Sequence, residues 1–253
     1  ANSFLVADSG NVTNLNNSNA NQVITNVALM DGATITETER KHFIAEATFL
    51  RAYYHFKLLT LYKQIVVRKG VVEEANLDKA LSTRVETWAV ILQDFKDAAA
   101  NLPVSYGSSD IGRATKGAAL AYLGKAYLHK AGDVESSESD DYKNAADALD
   151  AVMKLTAYSL EGNYGSMFDG TNQNSSESIF EIQINSPSAD AYNRTNLHKF
   201  IGDPMYDGWG GIAATQALLT EMQSEGKTST NGGYDERLES LYLKVLGVFI
   251  MTT

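Results

Sequence analysis

The 253-residue chain has no cysteine, three prolines and no apolar run long enough to cross a bilayer as a helix. The first absence excludes disulfides and thiolate-bound metal centres, and suits an exported protein as well as a cytosolic one. The scarcity of proline leaves long stretches free of the residue that breaks helices. Positive charge is also scarce. Against 31 Asp and Glu stand 21 Lys and Arg, for a net charge of −10. Binding nucleic acid requires a basic surface to meet phosphate, so this balance argues against such a partner. It argues equally against a polybasic patch on anionic lipid.

What is plentiful is apolar surface arranged at helical pitch. Hydrophobic residues make up 44% of the chain, enough for a substantial core. The densest stretch is EATFLRAYYHFKLLTLY, residues 46–62. Wound as a helix, its nine large apolar and aromatic residues cover most of the circumference. Only Thr48, Arg51 and His55 form a narrow polar stripe. The pattern predicts a helix held between other helices.

Caps and periodicity place the remaining elements. Thr36 followed by Glu39 has capping-box spacing, so the first long helix is expected to start near Thr36 and run to about Tyr62. Lys63 to Arg84 reads as an extended connection. A second helix over Val85–Asn101 places Val85, Trp88, Ile91, Leu92, Phe95, Ala98 and Ala99 on one stripe, with Asp94, Lys96 and Asp97 outward or sideways. Ser82 or Thr83 caps its start, and Leu102-Pro103 ends it. A third helix, Lys116–Ala131, lies between Thr115 and Gly132. A fourth, Tyr142–Leu155, is capped near Asp140 or Asp141. Upstream, Asn14–Asn21 is nearly all polar and reads as a loop or disordered segment, followed by one short helix through Val23, Ile24, Val27 and Met30. After Thr156, alternation over Ser178–Ile184 predicts a strand among Gly- and Asn-rich loops, and a helix is expected over Thr215–Ser224.

An internal repeat emerges from these helices. Leu123-Gly124-x-x-Tyr127, then Tyr142-x-x-Ala145, Leu149 and Val152, is the residue order of a tetratricopeptide helix pair with an insertion in its turn. Leu50-Arg51-Ala52-Tyr53-Tyr54 aligns on Leu123-Gly124-Lys125-Ala126-Tyr127. One such pair cannot bury its apolar face alone, so the two should stack. The expected fold class is mainly α, built from tetratricopeptide-like helical hairpins with an irregular loop-rich region and a few short strands. Residues 1–253 are read as a single domain, with 36–155 the hairpin scaffold and 156–240 a loop and strand region.

No catalytic constellation emerges. His42, His55, His129 and His198 are scattered, without the His-Glu-x-x-His spacing of a zinc protease, and there is no Gly-x-Ser-x-Gly elbow. No metal and no cofactor is expected. Arg51, a cation on a buried face, reads either as a grip for a carboxylate ligand or as the partner of an acid on the next helix, Asp94. The second reading is preferred because buried charges are normally paired. The acidic run Glu135–Asp141 reads as a solvated turn, since it lacks the ligand spacing of a calcium loop. The loop from Asp203 to Gly210 suits carbohydrate. Tyr206 and Trp209 offer ring faces to the C–H face of a sugar, and Asp203 and Asp207 offer acceptors to its hydroxyls. Trp209 fits equally as a plug in the core. Asn193 and Arg194, beside Tyr192 and Asn196, form a second polar-aromatic loop.

These stretches resemble one known family in order. Residues 46–62 are similar to the "EARFLRA-YY-F-L-LY" helix of the SusD/RagB family, surface nutrient-binding lipoproteins of Gram-negative bacteria. Thr87–Ala98 before Leu102-Pro103, Gly112–Ala119 (GRATKGAA), Tyr158-Ser159-Leu160 before Tyr164 and Phe168, and Glu177–Ile182 each resemble a family motif. So does Gly208-Trp209-Gly210-Gly211 ahead of Thr215 and Asp235-x-Arg237-Leu238. The "GDVPL" that follows the first helix in the family stands here as Lys63-Gln64-Ile65-Val66-Val67.

The resemblance implies a non-enzymatic outer-membrane lipoprotein, exposed at the cell surface. It would bind a nutrient, most often a glycan and otherwise a peptide, and pass it to a SusC-like TonB-dependent transporter. It also implies an N-terminal signal and lipid-bearing cysteine outside this sequence, so the chain is expected to be incomplete at both ends. The main alternative is a tetratricopeptide-type adaptor that grips protein segments.

Overall fold

A computed structural model describes residues 10–73, 78–167, 171–183, 204, 208–211, 215–224, 226–227, 232–234 and 238. The described helices are α1 (Gly10–Leu29), α2 (Glu37–Leu61), α3 (Arg84–Asn101), α4 (Lys116–Ala131), α5 (Asp141–Met153) and α6 (Gln216–Ser224). The chain divides into two compact units. One is Ala1–Tyr158 with Ser178–Ile182, and the other Ser159–Glu177 with Gln183–Thr253.

In the first unit, local chemistry sets where the helices begin. Thr36 accepts the Glu39 N–H while the Glu39 carboxylate accepts the Thr36 N–H, and Thr83 and Glu86 do the same for α3. Thr115 accepts the Ala118 N–H at the start of α4. Asp140 makes no such cap for α5. Asp141 instead takes the buried Lys130 Nζ at 2.8 and 3.0 Å. The acid at the head of α5 therefore ties it to the end of α4.

Successive helices pack side by side from α1 to α5. Phe49 of α2 meets Phe95 of α3 at 5.8 Å and Tyr122 of α4 at 5.8 Å between ring centroids. Trp88, Ile91 and Ala98 of α3 and Ala118 and Ala126 of α4 complete the interior. The helix over 46–62 thus lies inside as far as Leu59, with Phe49 and Ala52 fully buried, whereas Leu61 and Tyr62 at its end are 65% and 48% exposed.

Three expectations need correction. Asn14–Asn21 is not a loop but part of the 20-residue α1, which packs on α2. Asparagine is a poor helix former, so tertiary contacts made by Asn21 override local preference here. Asp94, expected outward or sideways from its helical position, is turned inward and 1% exposed, in keeping with its reading as the acid for Arg51. Residues 178–183 form no strand, there being no partner strand among the described residues. Their alternation serves another end: Ile179 and Phe180 pack on the helical core, and Phe180 meets Phe49 edge-on at 5.2 Å.

Candidate functional site

Of the residues singled out for ligand contact, Trp209 is described. Asp203, Tyr206, Asp207, Asn193 and Arg194 lie outside the described residues. Trp209 is 59% exposed and so does not plug a core. Gly210 beside it has φ +61, a left-handed conformation that favours glycine, and a Cβ there would lie 3.2 Å from the Pro204 ring. The backbone that presents the indole thus depends on the glycine next to it. The other tryptophan, Trp88, is 2% exposed in the scaffold.

Arg51 is fully engaged. Its Nε and Nη2 donate to the two Asp94 oxygens at 2.7 and 2.8 Å, a bidentate pair joining α2 to α3. Its Nη1 donates to Asn21 Oδ1 at 3.0 Å, and Asn21 Nδ2 donates to the Arg68 carbonyl at 3.0 Å. Nothing remains to grip a ligand carboxylate. His55, one turn along α2, is fully buried. Its Nε2 accepts the Arg68 N–H at 3.5 Å, and Nδ1 has no partner among the described residues. Burial, helped by the Arg51 charge, pushes its pKa down to about 3, so the ring is neutral at pH 7.

Two further clusters escape sequence reasoning because they join distant segments. Arg113 Nε and Nη2 donate to the two Glu46 oxygens at 2.9 Å each, and Nη1 donates to Asp110 at 2.9 Å. The Arg113 guanidinium also lies over the Phe43 and Tyr106 rings at 5.6 and 5.1 Å. The hydrogen bonds that Arg113 donates to Glu46 hold the guanidinium more firmly charged. Burial, with the bond to Glu46, raises the Tyr106 phenol well above its ordinary value. Two family-like motifs, the one opening at Glu46 and GRATKGAA, are therefore two halves of one clamp. The available signal was their co-occurrence in one sequence, which does not reveal the pairing.

The second cluster surrounds Asp133, whose Oδ2 accepts from Arg84 Nε at 2.6 Å and Trp88 Nε1 at 2.7 Å. Burial opposes ionisation of Asp133, but the Trp88 and Arg84 bonds outweigh it and hold the carboxyl at about 2. This pair sits in a cleft of about 350 Å³ between the ends of α2 and α4 and the start of α3, which Tyr62 and His129 also line. Its central charges satisfy one another. Among the described residues, no group of His, Cys, Asp and Glu could hold a metal ion. In the acidic turn after α4, Asp133 and Asp141 pair with Arg84 and Lys130, and the run Glu135–Asp141 is not solvated throughout, because Asp141 is 1% exposed.

Comparison with known proteins follows the same lines. Residues 14–128 match the SusD-like family described as "Starch-binding associating with outer membrane". The chain is 28% identical over 169 residues to a SusD-like protein of Bacteroides ovatus, covering 65% of this chain and 30% of that one. Among solved structures, a SusD-like protein from Bacteroides fragilis has TM-score 0.70 and 27% identity over 88% of this chain and 42% of that one. A laminarin-binding SusD-like protein has TM-score 0.60 and 24% identity over 71% of this chain and 37% of that one. The chain thus spans less than half the length of these relatives.

Proposed function

For a chain that belongs to the SusD/RagB family, we propose that the loop region captures a glycan at the surface of the outer membrane and delivers it to a SusC-like TonB-dependent transporter. The observation that carries this reading is Trp209, a large indole standing 59% exposed on a glycine-built loop. A sugar ring is the complement to such a face: its C–H surface stacks on the indole while its hydroxyls seek polar partners. Asp203, Tyr206 and Asp207, close in sequence, and Asn193 and Arg194 are the proposed polar and aromatic partners. The mechanism is capture without bond-breaking, and the helical unit serves as scaffold. The relatives' own descriptions, starch-binding for the family and laminarin-binding for one neighbour, support a glycan ahead of a peptide.

The two tryptophans make the test direct. Trp88 is buried and bonded to Asp133, so a ligand-induced change in emission reports Trp209. Titration with soluble glucans and hemicellulose oligosaccharides is expected to shift that emission. Trp209→Ala should abolish the shift and weaken binding about tenfold or more, a loss of roughly 1.4 kcal/mol. Binding that survives Trp209→Ala at full strength, or binding to a peptide panel and to no glycan, overturns the reading; the second outcome restores the adaptor alternative. For the transporter, pull-down from outer membranes in mild detergent is expected to recover a large β-barrel protein.

A further inference from the structure

The interface of α1 is unlike the others in its unit. Its buried positions from residue 17 onward are Asn17, Ala20, Asn21 and Val27, two of them amides. The apolar cluster that joins α2, α3, α4 and α5 includes no residue of α1 among those described. Beside the buried Ala20 and Val27, the described attachments of α1 are hydrogen bonds. Asn21 bridges Arg51 Nη1 and the Arg68 carbonyl, and Arg40 Nη1 donates to the Val27 and Ala28 carbonyls at 3.2 and 3.1 Å. Asn17 works against docking, because both its polar side-chain atoms are buried without a hydrogen-bond partner among the described residues. A buried amide left unpaired carries its full desolvation cost, whereas in water it is satisfied.

The attachments are also separable. Arg51 uses Nε and Nη2 for Asp94 and Nη1 for Asn21, so releasing α1 leaves the α2–α3 pair whole. The segment carrying Arg68 stays in place without Asn21, because Ile65 and Val67 are members of the core cluster. Asn21 and Arg40 are thus fasteners on a helix that contributes no described residue to the apolar cluster of its unit.

We propose that α1 is a releasable strap. It opens from α2 as a unit of its own while α2 to α5 remain folded, and Asn17 sets how readily it does so.

Amide hydrogen exchange resolved by residue on the 253-residue chain tests this. The amides of residues 21–28 are expected to exchange at least about tenfold faster than those of 52–59 and 119–127, the pattern of a sub-global opening. Asn21→Ala should speed exchange in α1 alone. Asn17→Leu, which replaces the unpaired amide with an apolar side chain, should slow it. Exchange of α1 at the rate of α2 and α4 overturns the proposal. So does a rise spread equally over all five helices in Asn21→Ala, its failure to fold, or a failure of Asn17→Leu to slow α1.

Discussion

The two helical hairpins of the scaffold solve one packing problem in opposite ways. At equivalent places in the repeat, the first carries Arg51 and the second Gly124. Arg51 fills the space between α2 and α3 with a guanidinium and locks it to Asp94 through two hydrogen bonds. Gly124 leaves that space empty, so Leu149 of α5 reaches a position 2.7 Å from where a Cβ would stand. The first pair is joined by charge in the interior, the second by close approach of backbone, with its ion pair Lys130–Asp141 moved to the turn. A motif position can therefore be shared while the force that closes the hairpin is not.

The sharpest way to break this contrast is at the first hairpin. Arg51→Ala strips the partner from an Asp94 carboxylate that is 1% exposed. Removing one member of a buried pair leaves an uncompensated charge, and a loss of about 3–5 kcal/mol is expected in urea-induced unfolding. The double variant with Asp94→Ala should recover part of that loss, because no lone charge remains. A cost below about 1 kcal/mol for the single variant would show that aromatic packing of Phe49 on Phe95 closes the first pair unaided.

The second prediction separates the hairpins by pH. His55 lies in the first hairpin and is held neutral, its pKa falling from 6.5 to about 3. The unfolded chain takes up a proton below pH 6.5 that the folded chain refuses. Stability is therefore whole above 6.5 and declines as pH falls toward 3, by about 1.4 kcal/mol per unit. Between pH 7 and 5 the expected loss is about 2 kcal/mol, measured by chemical denaturation. His55→Phe should flatten the profile in this window. Asp133, in the turn after α4, acts lower: its depressed carboxyl stabilises above 3.8, and that contribution disappears as pH falls toward 2. A profile from pH 7 to 5 that keeps its slope without His55 would place the titrating group elsewhere.

How much of this was legible depends on distance along the chain. Helices α2 to α5 announce themselves through stripes of apolar residues and through Thr36, Thr83 and Thr115 at their starts, because the relevant forces act within one or two turns. Arg51 was readable as a buried cation in need of an acid, since its neighbours on both sides are apolar. Asn21 was not readable as its third partner. Nothing in an asparagine-rich stretch says which amide will meet a guanidinium 30 residues away. Glu46 and Arg113, 67 residues apart, illustrate the same limit. At the candidate site, Trp209 between glycines was legible as an aromatic on a permissive backbone, but its exposure follows from the tertiary setting.

The smallest expected effect belongs to the second hairpin and tests whether Gly124 is there for its lack of a side chain. In Gly124→Ala the new methyl would stand 2.7 Å from Leu149 Cγ and 3.3 Å from the Ala145 carbonyl oxygen. Leu149 is 37% exposed and can swing outward, but the carbonyl belongs to the α5 backbone and moves only if the helix does. Overpacking of this kind costs roughly 1–3 kcal/mol, and alanine returns about 1 kcal/mol through its higher helix propensity. The net expectation is a loss of about 1 kcal/mol in thermal or urea unfolding. Adding Leu149→Ala removes the side-chain clash and leaves the carbonyl contact, so any penalty that persists beyond the loss seen in Leu149→Ala alone measures how closely the two backbones approach. If Gly124→Ala proves stabilising, Leu149 has moved aside freely. The second hairpin is then closed by burial of Ala145, Ala148 and Val152 in the ordinary way, and the glycine at this repeat position is not what brings α5 against α4.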